Sequence, residues 1–297
     1  MAPPEPRVRA VVSRLRSMIA GDGIHLLDGA MGTLLYERGV FVNVSYDALN
    51  LTDPDLVGGI HREYIEAGSE ILETNSFGAN RVRLSGFGLE ERVQEINLRA
   101  AELARDAAGA AAAVLGSIGP LGLGLAPSGP ASEPEVRDYF REQAESLADG
   151  GVDGFVLETF AELHELEAAL GAVRSVSTLP VFAQVTFGTE GLTSDGHDVE
   201  TVARRLGESG ADVIGANCSA GPPEMLEVVR RMAAVTATPL VAQPNTGLPQ
   251  LVGGRRMYLS TPSFFARYAE RMADAGARFL GGCCGTGPEH IRAVSAR

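Results

Sequence analysis

Short apolar runs alternate along the chain with longer segments whose apolar residues recur at helical spacing. Each apolar run is followed by a loop rich in Gly, Asn, Thr or Ser, and then by one of the amphipathic segments. The predicted strands are residues 24–28, 70–74, 113–118, 154–158, 181–186, 212–217, 240–244 and 278–282. The predicted helices are residues 53–67, 89–108, 133–148, 161–176, 199–208, 222–235, 262–275 and 289–296.

This alternation favours a sheet of parallel strands, because each parallel pair needs a helical crossover. Eight strands also close a barrel whose interior is filled by side chains. We therefore predict a single (β/α)8 TIM barrel over residues 21–297, preceded by an N-terminal tail and helix at residues 1–20. An open doubly wound sheet is the alternative, but it needs only about six strands.

The segments outside this repeat have their own expected places. Residues 8–20 form an amphipathic pattern with Val12, Leu15 and Ile19 on one face, so we expect a helix that covers one end of the core. Glycines directly after several predicted helices, such as Gly68 and Gly276, are expected to end them in the left-handed conformation. Longer loops at 36–52 and 246–260 are expected as surface excursions, the second near the mouth of the barrel.

Composition narrows the class of protein. The net charge of −13 and the pI near 4.9 argue against a nucleic-acid-binding protein, which normally carries a basic face. No apolar run reaches the roughly 18 residues of a membrane span, and the Pro-rich N-terminus has no apolar signal core. An odd number of cysteines, two of them adjacent, indicates a reducing compartment, so we expect a cytoplasmic protein.

The three cysteines lie in two similar segments, residues 215–219 and 281–285, each after a predicted strand. Adjacent Cys283 and Cys284 suit a metal better than a disulfide, and a barrel brings their strand to the same rim as that of Cys218. Three thiolates are soft ligands that favour Zn²⁺ and leave its fourth position open, as in catalytic zinc sites. The alternative is three buried free cysteines that act as small hydrophobic residues.

Other polar residues follow the predicted strands, where the active sites of such barrels lie. They include Asp28, Glu73, Glu158, Asn217 and Asn245. A substrate thiol in the open zinc position would be deprotonated, so the pattern favours attack by sulfur on a carbon electrophile over hydrolysis.

The five histidines do not supply a second predicted metal set. His164, His197 and His290 are expected to be solvated or capping residues rather than ligands.

These motifs resemble the homocysteine S-methyltransferase family, in order, at residues 26–33, 73–79, 158–160, 215–219, 244–245 and 281–286. The resemblance implies a (β/α)8 barrel, homocysteine as thiol acceptor, and zinc on Cys218, Cys283 and Cys284, which would also be the catalytic residues. It implies that Asp28 and Glu158 hold the amino group of homocysteine. The remaining implied substrate-binding residues are Gly29, Asn75, Ser76, Asn217 and Asn245.

Three of these positions refine the resemblance. Asn217 precedes a zinc ligand, so an alternative role is to orient the loop. Asn245 resembles the methionine-synthase type, in which an amide oxygen occupies the open zinc position before substrate arrives. Phe160 stands where betaine-using relatives are thought to place a tyrosine, which lowers the betaine interpretation.

The resemblance implies a zinc-dependent enzyme that methylates homocysteine to methionine, with a sulfonium donor (S-methylmethionine or S-adenosylmethionine) or a methylcorrinoid. The chain ends after the eighth predicted helix, without a folate- or cobalamin-binding segment. One alternative is therefore the thiol-activating module of a multi-component methionine synthase, with a separate corrinoid protein as partner. Another is a non-catalytic zinc- or thiol-binding barrel, which would not need Asp28 and Glu158. A lysine-dependent or hydrolytic barrel is disfavoured, since no strand end carries a lysine.

Overall fold

Eight parallel strands, each followed by helical segments, form the centre of the molecule. The computed structural model describes residues 14–41, 43–124, 129, 131–188, 190–218, 221–247, 250–252, 255–257 and 260–297. Its strands are β1 (His25–Leu26), β2 (Ile71–Glu73), β3 (Ala113–Ile118), β4 (Gly154–Phe160), β5 (Val181–Val185), β6 (Val213–Asn217), β7 (Leu240–Gln243), β8 (Gln250–Val252), β9 (Arg255–Met257) and β10 (Ala277–Leu280).

The helices among the described residues follow the same order. They are α1 (residues 14–20), α2 (Met31–Glu37), α3 (Leu49–Thr52), α4 (Pro54–Ala67), α5 (Arg81–Ser85), α6 (Val93–Ala108), α7 (Glu133–Asp149), α8 (Leu163–Val176), α9 (Val199–Glu208), α10 (Pro222–Ala233), α11 (Pro262–Asp274) and α12 (Pro288–Ser295). A 3-10 turn at Glu90–Arg92 precedes α6. In the described part of the chain, none of these helices is long and apolar enough to cross a membrane.

The main sheet has the strand order β1-β10-β7-β6-β5-β4-β3-β2, with every pair parallel. At the seam between its two edge strands, the Glu70 amide donates to the carbonyl of Leu26 at 2.8 Å. The Glu73 amide donates to Oδ2 of Asp28 at 3.0 Å, so a carboxylate takes the place of a ladder carbonyl there. The sheet is thus a nearly closed barrel, and the predicted (β/α)8 fold is confirmed.

Helix ends follow the chemistry of their flanking residues. Asp53, Asp198 and Thr261 each accept a hydrogen bond from a backbone N–H in the first turn of the helix that they precede. After α4, Gly68 adopts a φ of 110°, a conformation that costs glycine little. These signals explain why the predicted boundaries of α4 and α9 agree closely with the structure.

The connections contain more structure than the hydrophobic pattern predicts. Helices α2, α3 and α5 are short and were not predicted, and the first two overlap the expected 36–52 excursion. The 246–260 loop contains the antiparallel pair β8–β9, with part of the loop outside the described residues.

The barrel interior is apolar toward the amino ends of its strands. Phe182 of β5 and Phe279 of β10 meet there edge to face, with ring centroids 4.9 Å apart. Leu15 and Met18 of α1 pack into the same cluster, and Leu15 is fully buried. The expected cover over one end of the core is therefore confirmed for residues 14–20, while Val12 lies outside the described residues.

Candidate functional site

The opposite end of the barrel interior is polar, at the carboxyl ends of the strands. Ser117 lies two residues beyond the interior residue Leu115 on β3, and Glu158 lies two beyond Val156 on β4. Since strand side chains alternate between faces, each polar residue lies on the same inward face as the apolar residue before it. Asn217 on β6 and Gln243 on β7 continue this layer, beyond Val213 and Val241 respectively.

Three thiols lie beside this polar layer. Cys218 follows β6, and Cys283 and Cys284 follow β10. The Sγ atoms of Cys218 and Cys284 are 3.5 Å apart, and all three sulfurs lie within 4.8 Å of one another. All three residues are half-buried. The structure therefore brings together the cysteines that were predicted to share one rim.

The environment of these thiols opposes their ionisation unless a cation is present. A hydrogen bond with Cys283 lowers the pKa of Cys218, but the thiol of Cys284 and burial outweigh it and bring that pKa to about 12. Hydrogen bonds with Cys218 and Cys284, together with burial, raise the pKa of Cys283 well above its ordinary value. Three thiolates at this spacing repel one another, so the set is chemically suited to surround a soft cation.

The backbone beside the thiols is strained at two positions. Cys218 has a φ of 53° and Thr159, at the end of β4, a φ of 62°; they are the two non-glycine residues with positive φ in the described part of the chain. Such a conformation costs about 1–3 kcal/mol and persists where neighbouring contacts enforce it. Strain of this kind concentrates at functional sites.

At Thr159, Asn217 supplies such contacts. Its Oδ1 accepts from the Thr159 amide at 2.7 Å, and its Nδ2 donates to Oγ1 of Thr159 at 2.8 Å and to Oε2 of Glu158 at 3.1 Å. The same Nδ2 lies 3.9 Å from Sγ of Cys283. Asn217 is buried and joins the carboxylate on β4 to the thiols, which supports the predicted loop-orienting role.

Three carboxyl groups form an acidic cluster next to the thiols. Asp28 keeps its Oδ1 without a hydrogen-bond partner among the described residues, and so does Glu73 for its Oε1. Glu158 accepts at Oε1 from the Ser117 hydroxyl at 2.5 Å. Burial raises the pKa of Glu158 from 4.5 to about 7.

Burial also raises the pKa of Asp28 and Glu73 well above their ordinary values, with further contributions from the charges of their acidic neighbours. A cationic group from a ligand would therefore stabilise the ionised forms of this cluster. Glu73 was noted among the polar residues at the predicted strand ends but was assigned no binding role. Its signal was the alternation from interior Ile71 to Glu73 at the end of β2.

Gly29 lies in the connection after β1, where that connection contacts the one after β10. A Cβ there would lie 2.8 Å from Oγ1 of Thr286 and 3.0 Å from the hydroxyl of Tyr64, closer than side chains approach in proteins. The amide of Ala30 also donates to the carbonyl of Thr286 at 3.1 Å. Glycine thus allows a close approach of backbone at the rim, and substrate contact at Gly29 stays a prediction.

The side chains of Asn75 and Ser76 already bond within the protein. Asn75 Nδ2 donates to the carbonyl of Tyr46 at 2.8 Å and to Oδ1 of Asn50 at 3.2 Å. The Ser76 hydroxyl donates to the carbonyl of Ser117 at 2.7 Å. These bonds hold the β2 connection against its neighbours, and the substrate-binding roles of both residues stay predictions.

Asn245 lies directly beside the thiols. Its Nδ2 donates to the carbonyl of Cys218 at 3.3 Å, while its buried Oδ1 has no hydrogen-bond partner among the described residues. A free amide oxygen at this place is an additional donor atom for a cation held by the cysteines. Elsewhere, the predicted capping role of His290 is confirmed, since its Nδ1 accepts from the Gly287 amide at 3.1 Å.

Comparison with known proteins gives a consistent result. A family model described as homocysteine S-methyltransferase matches residues 25–297. Methionine synthases from Mycobacterium leprae and Mycobacterium tuberculosis are each 36% identical over 287 residues, which cover 91% of this chain. The chain spans 24% of the length of those relatives.

A solved structure extends the likeness to the whole fold. The homocysteine methyltransferase MmuM from Escherichia coli, in its metallated form, superposes with a TM-score of 0.81 at 27% sequence identity. The match covers 95% of this chain and 99% of that one.

Proposed function

Because the chain belongs to the homocysteine S-methyltransferase family, we propose that it is an enzyme that transfers a methyl group to the thiol of homocysteine and forms methionine. The observation that carries this proposal is the convergence of Cys218, Cys283 and Cys284 at the barrel end that also holds buried carboxyl groups. A thiol substrate with an ammonium group matches both halves of such a site.

The three cysteines would hold Zn²⁺. Their sulfurs are soft donors within 4.8 Å of one another, and the Asn245 amide oxygen offers one more ligand atom. When bound, Zn²⁺ lowers the pKa of a coordinated thiol so that the substrate sulfur becomes a nucleophile at neutral pH. The relative from Escherichia coli has been solved in a metallated form, which is consistent with a metal in this site.

The acidic cluster would receive the amino group of homocysteine. Asp28 and Glu158 were predicted for this role, and Glu73 adds a third carboxyl group whose pKa responds to both of them. An ammonium group has three N–H donors, and charge-assisted hydrogen bonds are the strong ones. Gly29, Asn75 and Ser76 remain our candidates for the rest of the amino-acid end.

Positioning is the main contribution that we assign to the protein itself. Asn217 bonds to Glu158 and to strained Thr159, so the group that binds the substrate amine and the thiol cluster keep a fixed separation. Methyl transfer is an in-line displacement at carbon, in which alignment of the nucleophile supplies much of the acceleration. The thiols need a reducing compartment, and we assign the protein to the cytoplasm.

The methyl donor defines two candidate functions. A sulfonium donor such as S-methylmethionine would make the chain a self-sufficient enzyme, and the match along nearly the full length of the relative from Escherichia coli favours this version. The second candidate is a thiol-activating module that acts on a separate methylcorrinoid protein. It is favoured by the 36% identity to methionine synthases, of which this chain spans only 24%.

A methyl-transfer assay tests these functions directly. Zinc-analysed protein would receive homocysteine with S-methylmethionine, S-adenosylmethionine, betaine or methylcobalamin in parallel, and Cys218→Ser would serve as the control. Turnover with one sulfonium donor supports the self-sufficient enzyme, whereas turnover with methylcobalamin alone, or with none of these free donors, supports the module. Zinc-retaining protein that also forms no methionine with a methylcorrinoid protein would favour the non-catalytic barrel instead.

A further inference from the structure

A second group of metal-ligating side chains lies outside the thiol cluster. His164 is at the start of α8, and Asp195 and His197 are in the β5–α9 connection. Nδ1 of His164 is 2.9 Å from Oδ2 of Asp195, and Nε2 of His197 is 3.8 Å from the same oxygen. One ligand atom from each residue lies within 4.8 Å of the other two.

The backbone holds these residues in one place. The amide and hydroxyl of Ser194 both donate to the carbonyl of Ala161, at 2.7 and 2.9 Å, which ties the β5–α9 connection to the β4–α8 connection. Within the β5–α9 connection, the Thr193 amide donates to the carbonyl of His197, and the His197 amide donates to Oγ1 of Thr193 at 2.9 Å. This tight turn places Asp195 and His197 side by side.

Asp195 offers a carboxylate with spare capacity. Its Oδ2 accepts from the backbone amide of His164, so this oxygen caps α8. Its Oδ1 is buried and has no hydrogen-bond partner among the described residues.

The Nε2 nitrogen of His197 lies near both Asp195 and Arg205. Nη1 of Arg205 lies 3.3 Å from Nε2 of His197, and a guanidinium can only donate, so Nε2 is the unprotonated nitrogen. Arg205 is itself bound at two nitrogens by the carboxylate of Glu167, which offsets part of its charge. A metal ion would take the lone pair in place of the Arg205 N–H, which would keep its bonds to Glu167.

We propose that His164, Asp195 and His197 form a second metal site, for a divalent transition ion of the imidazole-preferring class such as Zn²⁺ or Ni²⁺. Tetrahedral ligands bound at about 2.0–2.1 Å lie about 3.3 Å from one another, and the observed distances of 2.9 and 3.8 Å bracket this value. Binding at Nδ1 of His164 would use the neutral ring with its proton on Nε2, which faces away from the ion.

The site differs from the thiol cluster in strength and consequence. His164 is 60% exposed, and the nearby guanidinium of Arg205 opposes a second cation, so we expect weaker binding than at three thiolates. The ion would link the first turn of α8, the helix that follows β4, to the loop after β5. Occupancy should therefore raise thermal stability as ligand binding to the folded state does.

The expectation that His164 and His197 are solvated or capping residues leaves this cluster out. The two histidines are in different connections, and only the contact between the connections brings them together.

Metal stoichiometry tests the proposal. The full chain would be dialysed against Zn²⁺ under reducing conditions, and bound zinc counted for wild type, His164→Gln, His197→Gln and a matched control, His25→Gln, which removes an imidazole that pairs with Glu70. We expect two ions in wild type and in the control, and one in each of the other variants. A single ion in every protein, or a second ion that survives both substitutions, would overturn the proposal.

The Cys218→Ser variant, alone and combined with His164→Gln, separates this site from the thiol cluster. In Cys218→Ser, Co²⁺ should still bind without the near-ultraviolet band of thiolate ligation, and that binding should vanish when His164→Gln is added. If only the thiol cluster fails to bind metal, wild type should bind one ion and the His164→Gln variant should bind none. Arg205→Gln removes the competing donor and charge, so the second ion should bind several-fold more tightly; weaker binding would contradict the assigned role of Nε2.

Discussion

The Glu158→Gln variant distinguishes two effects of the acidic cluster, which are its destabilisation of the free protein and its contribution to substrate binding. In the folded protein, burial raises the pKa of Glu158 from 4.5 to about 7, so the folded state holds a proton that the unfolded chain has released at intermediate pH. The free energy of unfolding therefore falls as pH rises from about 4.5 through 7. Glutamine has nearly the same shape and cannot ionise, so the variant should lose this pH dependence.

The magnitude follows from the two pKa values of Glu158. At alkaline pH, its ionisation costs the folded state about 3 kcal/mol relative to the unfolded chain. Between pH 5 and pH 8 the change is about 2.5 kcal/mol by the same relation. Charge on Glu158 also raises the pKa of Glu73 and of Asp28, so its removal eases their ionisation and acts in the same direction.

Urea unfolding of metal-stripped, reduced wild type and variant at pH 5 and pH 8 measures this effect. The variant should be about 3 kcal/mol more stable than wild type at pH 8 and about 1 kcal/mol more stable at pH 5. Taking the difference between the two proteins cancels the titration of distant groups. An equal difference at both pH values would show that Glu158 is not held protonated, and would refute the reasoning.

The same substitution should impair substrate binding. A hydrogen bond between charged groups contributes about 1.5–3 kcal/mol, so loss of the Glu158 carboxylate should raise the KM for homocysteine about tenfold or more. Zinc content should stay unchanged, because Glu158 does not offer a ligand atom to the thiol cluster. A variant that gains stability and loses affinity would identify the cluster as a binding device that destabilises the free protein.

Four other substitutions probe the remaining parts of the site and fold. Cys218→Ser should lose zinc and turnover together, and full activity in zinc-free variant protein would contradict the mechanism. Asp28→Asn should raise the KM for homocysteine about tenfold without change in metal content, because it removes charge but keeps an oxygen for the Glu73 amide; a normal KM would refute the amino-group assignment. Asn217→Ala should cost about 1–3 kcal/mol in urea unfolding, since the Thr159 amide loses its partner, and an unchanged midpoint would contradict this. Leu15→Ala should cost about 2–5 kcal/mol and leave KM unchanged, because it opens a cavity at the far end of the barrel; a large change in KM would show coupling between the ends.

Much of this architecture can be predicted from local patterns. The strands are buried apolar runs that begin after the glycines at helix ends and lead into the next helix start, so their number and order along the chain follow from the sequence pattern. The meeting of Cys218 with Cys283 and Cys284 then follows, because the carboxyl ends of parallel barrel strands share one rim. Short helices such as α5 cannot be predicted in this way, because they depend on contacts between distant segments. For example, Arg83 in α5 donates to the carbonyl of Pro120.

Backbone strain is also invisible in the pattern. Nothing in the residue types of Thr159 and Cys218 indicates a positive φ, which side chains normally disfavour. At Thr159 the structure accounts for it through one buried side chain, since Asn217 satisfies the Thr159 amide and reaches Glu158 at the same time. This contact joins β4 and β6, which are separated by β5 in the sheet, so it is a property of the closed barrel rather than of any segment.

The division of the barrel interior explains how these costs are tolerated. Strain at two residues and the burial of three carboxyl groups each oppose folding, and all of them lie at the carboxyl ends of the strands. At the amino ends of the strands lies a cluster of apolar side chains, which Leu15 and Met18 cover. The same strands therefore carry a stabilising apolar layer at one end and a destabilising polar layer at the other. A ligand with an ammonium group and a thiol would stabilise the polar layer without disturbing the apolar one. Substrate should then stabilise the folded protein most at alkaline pH, where the free protein pays the full cost of its buried carboxylates.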